Sequence, residues 1–411
     1  MERQDLIDII GDMIPQYCPY NGDLDWGMKI ELELDGIREP FWTYKNSGAM
    51  GKLTTDIKDR SHEYLALNMD SKILERNYVE KQISAKWLSM KGSISKEEWF
   101  KVYDFLEELQ ERTYENTPVG INLIIVQNEH GVVPLNKIPE KKIIDVLAES
   151  NYTYFKIDKN LNLINYLCIN WNNTKDKEAY SSIPNFLQPY ASVMNSGEFG
   201  ITLTRTKDIL IYNKDGLLAT KRKGHWTVYD NSKVKNLFRE IVGEGCISGI
   251  SYDISCNLFD LCWDLSYRRH GALIIVNSEE DLKDYIVNEE SILSSPKCCG
   301  IRKILNDRFK WISISNRGDI NDRAIINELA SVDGAIIFSD NDGLLKAFGS
   351  IIKTAPNVKD VGGARSTAAE SAVQYKSFKP IKISSDGDIT LYKKVFDKSK
   401  GVEDVLRFKF Y

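Results

Sequence analysis

The sequence has no stretch approaching the ~20 consecutive apolar residues that a helix needs to span a bilayer, so no membrane-spanning segment is expected. Histidine is scarce, four in 411 residues, and none of the seven cysteines stands in a C-x-x-C pair. Cys18, Cys168, Cys246, Cys256, Cys262, Cys298 and Cys299 therefore lack zinc-ligand spacing, and their odd number argues against a disulfide framework. Reduced thiols in the cytoplasm are the expectation. A dominant charge sign is also missing. The 54 Lys and Arg against 59 Asp and Glu leave a net −5, too little for a global field toward DNA or anionic lipid. Nucleic acid is therefore not an expected partner. The opening Met1-Glu-Arg-Gln-Asp5, with Asp8 and Asp12 behind it, does not read as a secretory leader. No internal repeat or low-complexity run appears. What remains is an ordinary globular balance, 42% hydrophobic and 27% charged, in a chain long enough for two or three domains.

The pattern of apolar residues divides the chain. Leu6, Ile7, Ile9, Ile10 and Met13 form a helical stripe that Pro15 and Pro19 end. Met28–Leu34 alternates as a half-buried strand. Lys72–Met90 and Ser95–Arg112 read as helices, the second opened by a capping box, Ser95-Lys-Glu-Glu98. Val119–Gln127 reads as a buried strand and Lys141–Glu149 as a helix, with a hairpin over Tyr152–Ile169. A meander follows through Gly200–Thr204, Ile209–Tyr212, Leu217–Lys221 and His225–Tyr229, with Asp215-Gly216 as a hairpin turn. Helices are expected over Lys233–Val242 and Ser251–Tyr267.

From His270 the pattern becomes α/β. Gly271–Val276 is a continuous apolar run of the kind buried on both faces of a sheet. An edge helix is expected over Ser278–Val287, a strand at Trp311–Ser315 and a helix at Asp322–Leu329. Strands should flank Asn341-Asp342-Gly343, a helix should run from Arg365 to Tyr375, and a hairpin should turn at Asp386-Gly387. The expected fold is α/β in class: an α+β region at 1–195, a meander subdomain at 196–240, and a mixed sheet flanked by helices at 241–411.

Two motifs carry chemistry. Val332-Asp-Gly-Ala-Ile-Ile-Phe338 presents a carboxylate, Asp333, at the mouth of a buried strand. Asp-Gly there can simply shape a turn. It can equally hold a divalent ion bridging to phosphates, with Gly334 admitting close backbone approach beside Ala335. The second motif lies 32 residues after Asp333, where Gly362-Gly363-Ala364 opens a helix with Arg365 in its first turn. A cation at a helix N-terminus opposes the helix dipole, which suits a residue facing a bound anion. Ser366 and Thr367 add hydroxyl donors. The alternative is a surface arginine on an ordinary helix. His270, Ser384-Ser385-Asp386 and the Lys221-Arg222-Lys223 run near Trp226 and Tyr229 have structural readings that outweigh functional ones.

These residues resemble the diadenylate cyclase (DAC) domain family. Arg269-His-Gly-Ala-Leu-Ile-Ile-Val276 is similar to that family's opening strand, and Asp333-Gly-Ala335 matches its Asp-Gly-Ala motif. Gly363-Ala-Arg-Ser-Thr-Ala-Ala369 stands where the family has Gly-Thr-Arg-His-Arg-Ala-Ala, and Ser384-Ser-Asp-Gly-Asp-Ile-Thr390 resembles its closing Ser-Glu-Glu hairpin. The similarity covers roughly residues 245–395, about two-fifths of the chain. It implies a metal-binding, catalytic Asp333 and a nucleotide site at Gly334, Ala335, Gly362, Gly363, Arg365, Ser366 and Thr367. It also implies a Mg2+ or Mn2+ cofactor and ATP or another nucleotide as ligand. A homodimer or higher symmetric oligomer follows, because the family reaction brings two ATP-loaded domains face to face. Arg365 alone survives from the Arg-His-Arg segment; Ser366 and Thr367 replace the other two. The expectation leans to a nucleotidyltransferase, with a non-catalytic nucleotide or cyclic-dinucleotide sensor as the alternative.

Overall fold

The computed structural model describes residues 1–43, 51–135, 145, 147, 152–169, 183–243, 250–278, 281–300, 303–304, 313–314, 320–358 and 362–410. Its helices are α1 (Arg3–Met13), α2 (Lys52–Leu65), α3 (Lys72–Ser89), α4 (Lys96–Gln110), α5 (Gln188–Ser192), α6 (Asn231–Gly243), α7 (Ile250–Tyr267), α8 (Ile320–Ala330) and α9 (Ala364–Gln374). The strands are β1 (Cys18–Pro19), β2 (Met28–Leu34), β3 (Ile37–Thr43), β4 (Thr113–Tyr114), β5 (Thr117–Pro118), β6 (Ile121–Val126), β7 (Val133–Pro134), β8 (Thr153–Asp158), β9 (Asn162–Cys168) and β10 (Phe199–Leu203). They continue with β11 (Ile209–Asn213), β12 (Gly216–Arg222), β13 (His225–Val228), β14 (Ala272–Asn277), β15 (Ala335–Ser339), β16 (Leu345–Ser350), β17 (Phe378–Ile383), β18 (Ile389–Asp397) and β19 (Val402–Phe410). The chain forms two compact units. One comprises Met1–Pro15, Ile30–Pro40 and Ala49–Asn231, the other Gln16–Lys29, Phe41–Gly48 and Ser232–Tyr411.

The first unit is built on an eight-stranded sheet of order β13-β12-β11-β10-β6-β8-β9-β7. Only the β6–β8 pair is parallel among the pairs described; the others run antiparallel. The meander is thus not a sheet of its own. Phe199 and Leu203 of β10 pair with Ile125 and Ile121 of β6, which extends the meander into the sheet before it. Helices α3 and α4 anchor on this sheet through large aromatics. The Trp87 indole donates to Leu218 O at 3.0 Å, Trp99 meets Phe199 edge-on at 5.1 Å, and Tyr103 lies 4.4 Å from Trp226. Ser95 and Glu98 close the capping box reciprocally, which satisfies two otherwise orphaned N–H groups at the start of α4. The helix expected over Lys141–Glu149 falls almost wholly outside the described residues.

The second unit carries a six-stranded mixed sheet of order β16-β15-β14-β17-β18-β19. Here β14 runs parallel to β15 and antiparallel to β17. All six residues of β14 are buried, as its unbroken apolar run requires when both faces are covered. On one face Leu273, Ile275, Ala335 and Ile337 share a core with Ala369, Ala372 and Val373 of α9. Three small positions, Ala335, Ala369 and Ala372, let that helix approach the strands closely.

The expected edge helix at Ser278–Val287 is absent from the residues described there. Asp281 caps Lys283 through its side chain, Tyr285 N–H returns to Leu282 O, and one turn results. The chain then runs beside residues 351–353: Ile286 bridges Ile352, Val287 N–H donates to Ile351 O, and Lys353 N–H donates to Tyr285 O. Leu282, Tyr285 and Ile286 have helical spacing, but strand-like pairing satisfies more of their backbone than a short isolated helix would. Of the strand expected at Trp311–Ser315, only Ser313 and Ile314 are described, and Ser313 bridges Leu344.

Lys393 on β18 shows how this unit treats a buried charge. It is 9% exposed, and its ammonium lies 5.7 Å from the centre of the Trp26 ring. Burial lowers its pKa from the ordinary 10.5 to about 8, against the opposing fields of Asp25 and Glu240. Below about pH 8 the lysine is charged in both folded and unfolded chains, so the folded state carries the full desolvation cost. Between pH 8 and 10.5 the unfolded chain holds a proton that the folded one has lost, so stability rises with pH. Lys393→Met keeps the packing and removes the charge. It is expected to stabilise the protein by about 2 kcal/mol at pH 7 and to flatten that rise, as urea melts from pH 7 to 10.5 would show.

Candidate functional site

Four backbone turns meet at one end of the six-stranded sheet, and the topology explains why. Strands β14 and β15 are parallel, so their entrances at His270-Gly271 and Asp333-Gly334 lie side by side, with Leu273 paired to Ala335. Strand β17 runs the other way, so its exit at Ser384 sits beside the entrance of β14, with Ala272 paired to Ile383. The Gly362-Gly363 turn brings the first residues of α9 to the same end. All four motifs singled out in the sequence of this unit therefore converge.

The geometry separates structural from chemical roles within Asp-Gly-Ala. Gly334 has φ +110°, and a Cβ there would come 2.5 Å from Gly349 C and 2.7 Å from Ser350 N. Glycine is needed because β16 crosses that space. Ala335 is fully buried beneath α9, where a larger side chain would push the helix outward. Asp333 has no such duty: its side chain is fully exposed, and its carboxylate sits 3.3 Å from the Arg365 guanidinium.

Arg365 lies in the first turn of α9, whose N-cap is Gly363 with φ +121° and no side-chain cap; no acidic residue occupies that first turn. Gly362 also takes a positive φ, +84°, and no described atom lies within 4 Å of where a Cβ would stand on either glycine. The helix thus begins with uncapped N–H groups in the first turn, which suits an anion. The guanidinium passes directly over Gly271, where a Cβ would lie 2.7 Å from Arg365 Nη1 and 3.1 Å from Ser385 N. Gly271→Ala should therefore tilt the flexible arginine tip away from the cleft without unfolding the sheet. Should this end of the sheet bind a triphosphate, as the resemblance implies, the expected result is about a tenfold loss of that affinity by calorimetry, with the melting temperature shifted by no more than about 2 °C.

Ser366, one residue on, accepts a hydrogen bond from Lys382 Nζ at 3.1 Å. Lys382 lies on β17 and was not a candidate from sequence, where a strand lysine looks like any solvent-facing charge. Thr367 N–H makes the first helical bond of α9, to Gly363 O at 3.0 Å.

The other candidates resolve structurally. Ser384 closes its turn by accepting from Asp388 N–H through its hydroxyl and from Gly387 N–H through its carbonyl. The His270 ring contacts Ser331 Oγ at 2.7 Å, and that hydroxyl donates to Asn327 O. Lys221 pairs with Glu107 at 2.7 Å, and Arg222 with Asp208 inside the first unit, both side chains only 2% exposed. The basic run is therefore committed to the protein, and Trp226 is buried. Burial raises the Cys18 thiol to about 11 and the Cys262 thiol further, so neither is a nucleophile at neutral pH.

Among the described residues no group of three His, Cys, Asp or Glu side chains could hold a metal by itself. Among the described residues Asp333 belongs to no such group. That fits an ion of the Mg2+ type, which commonly takes one or two carboxylates and completes its shell with substrate phosphates and water. No helix among the described residues is long and apolar enough to cross a membrane.

No family model matches the sequence, and no curated protein matches it. Among solved structures, a hypothetical membrane-spanning protein from Bacillus cereus aligns at 18% identity, over 43% of this chain and 74% of that one, with a TM-score of 0.23. A double mutant of DacA from Staphylococcus aureus aligns at 21% identity, over 37% of this chain and 85% of that one, with a TM-score of 0.21. Superpositions this loose fix neither fold nor function.

Proposed function

We propose that the second unit binds a nucleoside triphosphate at the Asp333–Arg365 end of its sheet, and that two such units condense two ATP molecules into cyclic di-AMP or a related dinucleotide. The observation that carries the reading is the exposed Asp333 carboxylate 3.3 Å from an arginine at an uncapped helix N-terminus. Its neighbours Gly334 and Ala335 have packing reasons to be what they are; Asp333 has none. The ordered resemblance to the diadenylate cyclase domain names the chemistry.

In that reaction each 3′-hydroxyl oxygen attacks the α-phosphorus of the other ATP. A new P–O bond forms at each junction, the bond to pyrophosphate breaks, and the hydroxyl proton is lost. Two pyrophosphates leave. Arg365 and the first-turn N–H groups of α9 would orient the triphosphate and stabilise charge growing on the departing pyrophosphate. Asp333 would hold Mg2+ or Mn2+ together with phosphate oxygens, and the ion when bound supplies charge neutralisation there. One unit holds one ATP, so a symmetric dimer or larger assembly is required for both attacks.

A second reading rests on Ser366 and Thr367. They stand where the resembled family has His and Arg, and Ser366 Oγ is engaged by Lys382 rather than open to phosphate. A cleft with weakened charge complementarity suits a sensor that retains nucleotide without turning it over. Incubation of the pure protein with each NTP and Mg2+ or Mn2+, followed by mass spectrometry, separates the two. A dinucleotide with stoichiometric pyrophosphate supports synthesis. No product but a tightly held nucleotide supports the sensor. Neither product nor binding overturns both.

A further inference from the structure

Lys382 is half-buried on β17, one residue before the strand ends at the site. Its ammonium donates to the neutral Ser366 hydroxyl at 3.1 Å, and among the described residues no carboxylate lies within ion-pair distance of it. Several other lysines of this unit have a carboxylate partner: Lys379 has Asp340 at 3.5 Å, Lys394 has Glu403 at 2.7 Å and Lys400 has Asp397 at 3.0 Å. Holding a cation next to a helix N-terminus, one residue from Arg365, is unfavourable for the empty protein on two counts. The helix dipole repels it, and a second fixed positive charge stands nearby. A half-buried cation without a counter-ion is matched when an anion occupies the space between the two groups.

From this, and resting on the nucleotide reading above, we propose that Lys382 binds the phosphate chain of the ligand. It would supply from β17 the second cation that Ser366 and Thr367 do not supply from α9. Arg365 and Lys382 reach the ligand from different elements, one helical and one on the sheet. The site would therefore hold its phosphates between helix and sheet rather than along the helix alone. An ammonium suits this place: it is a compact point charge that tolerates several phosphate geometries, where a guanidinium would demand a bidentate one.

The test is calorimetric titration of the intact chain with ATP, inorganic tripolyphosphate and adenosine, in wild type, Lys382→Met and Lys382→Arg. Lys382→Met should weaken ATP and tripolyphosphate about tenfold or more and leave adenosine unchanged, and Lys382→Arg, which keeps the charge but not the ammonium geometry, should recover part of the loss. Equal phosphate affinities in wild type and Lys382→Met would overturn the role of Lys382 while leaving the nucleotide reading intact. A wild type that binds neither phosphate ligand overturns both. If Lys382→Met does not fold, acetylation of wild-type lysines with and without tripolyphosphate decides the matter. Protection of Lys382 but not of the exposed Lys376 supports the proposal, and equal acetylation of Lys382 in both conditions refutes it.

Discussion

Gly334→Ala is expected to destabilise the protein by about 3–5 kcal/mol, more than any other single methyl added at this site. Two costs combine. An alanine at φ +110° lies outside the regions open to L-residues, a strain of roughly 1–3 kcal/mol. The new methyl would also sit 2.5 Å from Gly349 C and 2.7 Å from Ser350 N, both backbone atoms with no rotamer to yield. Relief requires β16 to move off β15 at the Ala335–Ser350 pair, and overpacking of that kind costs a further 1–3 kcal/mol or so. Because Asp333 precedes Gly334, the same movement displaces the carboxylate, so ligand binding should fail even in molecules that remain folded. Urea denaturation measures the first effect and calorimetry the second. A Gly334→Ala protein within about 1 kcal/mol of wild type would mean that the two strands do not approach so closely in solution.

That result bears on how motifs are read. In the sequence, Gly334 suggested room for a ligand; in the fold, the room is taken by β16. At this site the glycines that do face open space are Gly362 and Gly363, where positive φ alone demands glycine. Local signals were legible where local physics decides. The capping box at Ser95 and Glu98, the hairpin turn at Asp215-Gly216, the doubly buried run of β14 and the start of α9 follow from neighbours within a few residues. Partners far apart in sequence were not legible. Tyr20 donates to Asp397 and Asp404 across more than 370 residues, and no pattern near residue 20 announces that Gln16–Lys29 folds with the C-terminal unit. The pairing of β10 with β6 is likewise invisible locally, which is why the meander looked separate. Strand β19 escaped for another reason. Leu406, Phe408 and Phe410 alternate with Arg407 and Lys409 as a half-buried strand does, but Glu403 and Asp404 hide its first half, which only pairing with β18 defines. Lys382 combines both difficulties, since its partner lies on a helix 16 residues earlier and its own strand gives no hint of chemistry.

Asp333→Asn should move two measurements in opposite directions, and that divergence is the sharpest consequence of the 3.3 Å ion pair. Without a divalent ion, the carboxylate competes with phosphate for Arg365 and repels any phosphate approaching it. Removing its charge frees the guanidinium, so metal-free affinity for ATP or tripolyphosphate should rise about twofold to fivefold, the scale of an exposed ion pair. On the proposed reading, the carboxylate would be the protein's anchor for Mg2+ or Mn2+, and the substitution would remove it. The gain in affinity that the metal confers on the wild type should then vanish. Dinucleotide synthesis, if the wild type shows it, should fall by about 100-fold or more. A purely structural Asp333 would leave both affinities unchanged. A metal-free affinity that falls in Asp333→Asn would mean that the carboxylate positions Arg365 for the ligand instead of competing with it, which would remove the argument that the pair opens on binding. Both affinities come from the same titrations, with and without chelator, so a variant that folds poorly would lower the two together and be recognised as such.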